Sequence, residues 1–129
     1  MNHRKIEDLI PRAMESIKNE KELFIGDKVK RVYKGYIDGM GPSMILAGMR
    51  QTICFYSEEK EKANRQIIIQ LLGSLLKIEN LTDHAMHITT GSQEYRKLRE
   101  SLMEGIVALK LALKTFPISD REEGEQYGD

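Results

Sequence analysis

At 129 residues the chain is one domain's worth, long enough for a single core and too short for two. With 40% apolar and 31% charged residues that core is modest, and the absence of Trp with only 6% aromatics argues against a sandwich or barrel, whose sheets large aromatics and β-branched residues usually fill. Twenty Lys and Arg balance twenty Asp and Glu, which excludes a strongly basic or acidic chain, yet residues 120–129 alone sum to −4 and leave the other 119 at +4. Seven Met with many Leu, Ile, Lys and Glu favour packed helices. Cys54 is alone, so an intramolecular disulfide and a cysteine-based metal cluster are both excluded. Met1-Asn2-His3-Arg4-Lys5 leads to Glu7 and Asp8 with no apolar run behind, so neither a signal nor a transit peptide is expected. The longest apolar stretch, residues 67–76, is interrupted by Gln70, Gly73 and Ser74 and reads as a buried helix, far short of a membrane span. A cytoplasmic protein without membrane contact is the expectation.

In chain order, Ile6, Leu9, Ile10, Ala13, Met14 and Ile17 carry the i, i+3, i+4 pattern of a helix over residues 3–19. Pro11 inside it predicts a kink, or a regular part that begins there. After a polar break at residues 19–22, Val29, Val32, Tyr33, Tyr36 and Ile37 mark a second helix. It starts after Gly26-Asp27 with Asp27 as N-cap and is stopped by Gly39, Gly41 and Pro42. A third helix is predicted over residues 42–57 on the stripe Ile45, Met49, Ile53 and Tyr56. Within it Gly48 is expected to let a neighbouring helix approach closely. The fourth, residues 59–77, is apolar over more than one face and therefore central in the bundle.

Residues 78–91 hold a turn or short helix around 81–88. The last helix opens on Ser92 as N-cap and runs to Phe116, where Pro117 ends it. Its residues Tyr95, Leu98, Leu102, Ile106, Leu109, Leu113 and Phe116 give the cleanest helical periodicity in the chain. The expected fold is all-α: a compact bundle of about five helices, with a long C-terminal helix and no sheet. Residues 1–118 form the single domain, and 119–129 a disordered acidic tail.

Enzyme signatures are absent. No phosphate-binding glycine loop, G-x-S-x-G or H-E-x-x-H occurs. His84 and His87, with Asp83 next to His84, could hold a metal only with a third ligand, and surface histidines beside a short helix are the expectation. Cys54, between Ile53 and Phe55, reads as a small buried hydrophobe without a nucleophilic role. No cofactor, metal or catalytic residue is expected.

The basic residues are more informative. Lys28, Lys30, Arg31 and Lys34 are interleaved with Tyr33 and Tyr36, and their spacing makes one edge of the second helix basic. No acid lies between Lys28 and Ile37, so the edge is expected to lack a local counter-charge. Arg50, with Arg65 beside it, forms a second group. A third, Arg96, Lys97 and Arg99, has Glu94, Glu100 and Glu104 near enough to pair with it. A solvated face is one reading of the basic edge. The other is a stripe that tracks phosphates, blind to sequence and weakened by salt.

Residues 43–55, Ser-Met-Ile-Leu-Ala-Gly-Met-Arg-Gln-Thr-Ile-Cys-Phe, resemble a helix of the small subunits of type III-B CRISPR RNA-targeting complexes. There an apolar run leads to a Gly-Leu pair, a Gln-Thr-Leu-like stretch and a Phe. Gly48-Met49, Gln51-Thr52-Ile53 and Phe55 stand in those places. Glu94-Tyr95-Arg96-Lys97 through Glu104-Gly105-Ile106-Val107-Ala108-Leu109 is similar to the family's last long helix, although Leu111, Leu113 and Lys114 replace the family's late Trp and basic pair. The resemblance spans most of residues 3–116. It implies a non-catalytic member of a crRNA-guided effector complex. Its partners would be crRNA, target RNA, the other effector subunits and copies of itself stacked head to tail, with Lys28, Lys30, Arg31, Lys34 and Arg50 toward the RNA backbone. The alternatives are a helical adaptor that binds another protein and has no RNA role, and an enzyme using His84 and His87 with a metal.

Overall fold

The computed structural model describes residues 1–58 and 64–120. Among them run six α-helices: α1 His3–Asn19, α2 Arg31–Leu46, α3 Met49–Tyr56, α4 Gln66–Leu76, α5 Leu81–His87 and α6 Gln93–Leu113. A 3-10 turn, Lys21–Leu23, and a hairpin of β1 Phe24–Ile25 and β2 Lys28–Val29 separate the first two helices. The architecture is all-α as expected, with this small hairpin where no sheet was anticipated. The predicted acidic tail from residue 121 and the predicted start of the fourth helix, 59–63, lie outside the described residues.

Helix α1 begins on Asn2, whose side chain accepts from the Lys5 N–H at 3.2 Å and so satisfies one of the free donors of the first turn. It continues through Pro11, which lies on the exposed face, where the carbonyl that loses its donor can turn to solvent. Ile6, Ala13 and Ile17 are buried, whereas Met14, predicted for the stripe, faces solvent.

The hairpin turn takes Gly26 at φ +62°, and its register pairs Phe24 with Val29 and Ile25 with Lys28. Asp27 is therefore a turn residue, and α2 starts later than predicted, with Lys30 as its N-cap. Val29 also takes the C-terminal segment: its N–H donates to Pro117 O and its carbonyl accepts from the Ser119 N–H, both at 2.8 Å. Ser119, expected to open the disordered tail, is thus buried against the hairpin. A backbone donor with a fixed partner is ordered whether or not its side chain is apolar.

The predicted stop at Gly39, Gly41 and Pro42 does not occur, and α2 runs to Leu46. Pro42 costs about 3 kcal/mol inside a helix, but it points to solvent while Met40 and Met44 are fully buried. Burial of such side chains is worth about 1.5–3 kcal/mol each, enough to hold the helix together. The break falls instead at Gly48, with φ +101° and ψ 164°, a region that residues with a Cβ avoid. The predicted third helix is accordingly divided between α2 and α3. Gly48 does not admit a neighbouring helix: the nearest atom to a Cβ placed there is Gln51 Oε1 at 2.9 Å.

Helix α4 is central as expected. Its residues Ile67, Ile68, Ile69, Leu71, Leu72 and Leu75 are buried, and it packs against α1, α2, α3, α5 and α6. Among the described part of its predicted range, Asn64 and Arg65 precede the helix. Lys77 and Asn80, both left-handed, turn the chain into α5. Helix α6 is capped by Ser92, which accepts from the Tyr95 N–H at 3.1 Å, and it buries Leu98, Leu102, Ile106, Leu109 and Leu113. It ends at Leu113, a turn short of Phe116. Glu104, on α6, is buried and accepts from the Asn2 N–H at 2.9 Å, tying the start of α1 to the last helix.

Candidate nucleic-acid interface

The hairpin and the first turns of α2 bring Lys28, Lys30, Arg31 and Lys34 to one end of the fold. Lys28, Arg31 and Lys34 are exposed, and the first turn of α2 contains no acid. A helix N-terminus carries partial positive charge, so cations there are unfavourable by about 0.3–1 kcal/mol each. The arrangement carries an electrostatic cost that a bound anion would relieve.

The edge is not without counter-charges, contrary to the expectation from sequence. Lys34 Nζ meets Asp38 Oδ2 at 2.5 Å across one helical turn, and Lys30 Nζ lies 4.0 Å from Glu22 Oε2 on the 3-10 turn. Arg31 Nε donates to Ser119 O at 3.2 Å. The Lys34–Asp38 pair is exposed on both sides and screened by water, so it competes weakly with a phosphate.

Arg50 is engaged elsewhere. Its Nε donates to Ala85 O at 3.0 Å, Nη1 to Thr90 Oγ1 at 2.7 Å, and Nη2 to Ile88 O, while its guanidinium sits 5.4 Å from the Tyr95 ring centroid. It joins α3 to the end of α5. The third basic group also differs from its predicted pairing: Arg96 donates to Gly91 O at 3.1 Å, and Glu104 is committed to Asn2.

From Lys30 a run of rings leads toward α3. Lys30 Nζ lies 6.0 Å from the Tyr33 centroid, Tyr33 is 5.9 Å edge-on to Tyr36, and Tyr36 is 6.3 Å from Tyr56. Arg65 closes the run, 5.9 Å from the Tyr36 centroid and 3.9 Å from that of Phe55. Only 7% exposed, Arg65 is held by Phe55 O at 3.1 Å and Glu58 Oε2 at 2.6 Å. Tyr56 donates its hydroxyl to Tyr36 O. Burial pushes the Tyr56 phenol up to about 12, with Arg65 pulling it down and Tyr36 adding to the rise, so it stays a neutral donor. Sequence reasoning singles out Tyr33, Tyr36 and Arg65 but misses their union with Phe55, which only the tertiary fold creates.

His87 Nδ1 faces Asp83, at 2.8 Å from its carbonyl and 3.3 Å from Oδ1, and among the described residues no three His, Cys, Asp or Glu side chains gather as a metal would require. Cys54 is exposed rather than buried, because α3 buries Met49, Thr52, Ile53 and Tyr56, and the residue after Ile53 is rotated out of that face. Among the described residues no helix is long and apolar enough to cross a membrane.

The described residues thus form an all-helical bundle that gathers cations and rings around α2 and α3. Residues 7–113 match the family described as CRISPR-associated protein (Cas_Cmr5). The chain belongs to that family, the small subunit of the type III-B effector complex. No curated relative and no solved structure matches the chain.

Proposed function

We propose that this chain is a non-catalytic, cytoplasmic RNA-binding subunit of a crRNA-guided effector, with copies stacked head to tail along the groove that holds guide and target RNA. The supporting observation is the basic start of α2: exposed cations placed against the helix dipole with no acid in the first turn. Base pairing between guide and target supplies sequence specificity, so the protein needs only to hold backbone. Screened, partly paired lysines bind one strand weakly in a single copy, and repetition along the strand raises the affinity. Ile45 at 65% and Leu46 at 86% exposure, at the corner between α2 and α3, are apolar surface that the next copy would cover. A head-to-tail contact of this kind is heterologous and does not close.

The test is RNA affinity as a function of salt. Replacement of Lys30, Arg31 and Lys34 together by Ala is expected to weaken binding. It should also flatten the salt dependence, by about 0.7 in log–log slope for each single-strand phosphate no longer neutralised. An unchanged slope with the fold intact would remove the basic edge from RNA binding. A wild-type chain that binds another protein with no salt-sensitive RNA affinity would favour the adaptor reading.

A further inference from the structure

We propose that Phe55 is a stacking platform for an unpaired nucleobase, set in place by Arg65 at the far end of the aromatic and cationic run that starts on the basic edge of α2. The inference rests on the RNA reading above and extends it to a site for bases.

Phe55 is 52% exposed although Ile53 and Tyr56, its neighbours on α3, are buried. Its ring is not loose. The Arg65 guanidinium lies 3.9 Å from its centroid, and Arg65 is itself fixed by Phe55 O and Glu58. The Tyr56 ring stands edge-on at 5.7 Å. The ring is thus oriented in advance, backed by a cation, and half exposed to solvent, where a base could stack. Every base has such a face, so the site reads no sequence. A guanidinium beside the stack adds cation–π attraction and lowers the local negative potential.

Continuity with the basic edge identifies the occupant. Lys30, Tyr33, Tyr36, Arg65 and Phe55 follow one another in steps of 6.0, 5.9, 5.9 and 3.9 Å. The run passes through the buried Tyr33 and Arg65, and its short steps keep the exposed cations at the start of α2 and the exposed Phe55 within reach of one short stretch of a single strand. An anchor for a protein partner would be expected within a wider apolar patch, whereas Phe55 is flanked by Arg65 and the exposed Glu58.

The experiment measures the affinity of the full chain for a short single-stranded RNA and for the same ribose-phosphate backbone without bases. Phe55→Leu keeps an apolar contact for Arg65 and removes the ring, and its melting temperature is measured alongside. The variant is expected to bind the base-bearing strand about 5- to 150-fold more weakly, the range given by removal of one aromatic stack. Its affinity for the abasic strand and its salt slope stay as in wild type, and Phe55→Trp restores base-dependent binding. Wild-type affinity in Phe55→Leu, with weakened binding in the Lys30, Arg31 and Lys34 variant, would overturn the platform and leave the RNA reading standing. Unchanged binding in both variants would remove the RNA reading and the platform together. Failure of Phe55→Leu to join the other effector subunits, with RNA affinity unaltered, would make Phe55 a protein contact and overturn the proposal.

Discussion

The same substitution at two glycines should move stability in opposite directions. Gly48→Ala puts a Cβ on a residue at φ +101° and ψ 164°, where a non-glycine residue costs about 1–3 kcal/mol. The new Cβ meets Gln51 Oε1 at 2.9 Å, the free end of a flexible side chain that can swing away, so the steric part is small. Alanine also restricts the unfolded chain, which returns about 0.4–1 kcal/mol. The net loss is about 1–2 kcal/mol, or a fall of roughly 4–8 °C in Tm for a domain of this size. Gly35 lies inside α2, exposed, with nothing within 4 Å of an added Cβ. Gly35→Ala removes a helix-interior glycine and should add about 0.5–1 kcal/mol, raising Tm by roughly 2–4 °C. Urea and thermal unfolding of both variants, followed by circular dichroism, measure the two shifts. Shifts of the same sign, or a neutral Gly48→Ala, would refute the assignment of Gly48 as the hinge that divides α2 from α3.

Arg50→Ala should destabilise the fold by about 2–4 kcal/mol, since it leaves the carbonyls of Ala85 and Ile88 without their charged donor. Its RNA salt slope should match wild type if the guanidinium is spent inside the protein, and a flattened slope would return Arg50 to the interface. Tyr56 has a folded-state pKa raised from its ordinary value near 10 to about 12, so its contribution is complete below pH 10 and is lost as pH rises from 10 toward 12. Over that window wild type should lose on the order of 2 kcal/mol relative to Tyr56→Phe, read as the difference between the two proteins' unfolding free energies at successive pH values. Parallel curves would mean that the Tyr56 hydroxyl is not buried as described.

The last helix is legible in the sequence because everything that defines it is local. Ser92 supplies the cap, and the buried stripe from Leu98 to Leu113 steps by three and four within one segment. The hairpin is not legible, because Gly26-Asp27 fits a two-residue turn and the approach to a helix cap equally well. What decides is Val29, whose backbone pairs with the segment around Ile118, far along the chain. Gly39, Gly41 and Pro42 mislead for a related reason: their local preference is outweighed by Met40 and Met44, whose burial a propensity cannot express. Of the candidate site, the positions of the cations on α2 can be read directly. Asp38 is available as the i+4 partner of Lys34, one residue beyond the acid-free interval from Lys28 to Ile37. The contact of Arg65 with Phe55 is out of reach, since it joins the residue before α4 to the last turn of α3.

The arginines and lysines divide the labour of this chain along lines their chemistry predicts. Arg12 donates to Leu75 O at 2.6 Å near the end of α4, Arg50 to Ala85 O and Ile88 O at the end of α5, and Arg65 to Phe55 O near the end of α3. Each places a planar, permanently charged fork on carbonyls in or just after the last turn of a helix, where intrahelical donors run out and the dipole is negative. These cations hold the bundle together and are costly to recruit for anything outside it. Lys28 and Lys34, on the hairpin and the first turns of α2, are exposed, flexible point charges with screened partners at most. A count of twenty basic residues therefore overstates the charge this surface can offer a phosphate backbone. The smaller number that remains agrees with the proposed hold on a strand through repeated copies, because a single strongly basic copy would bind any nucleic acid it met before it could assemble.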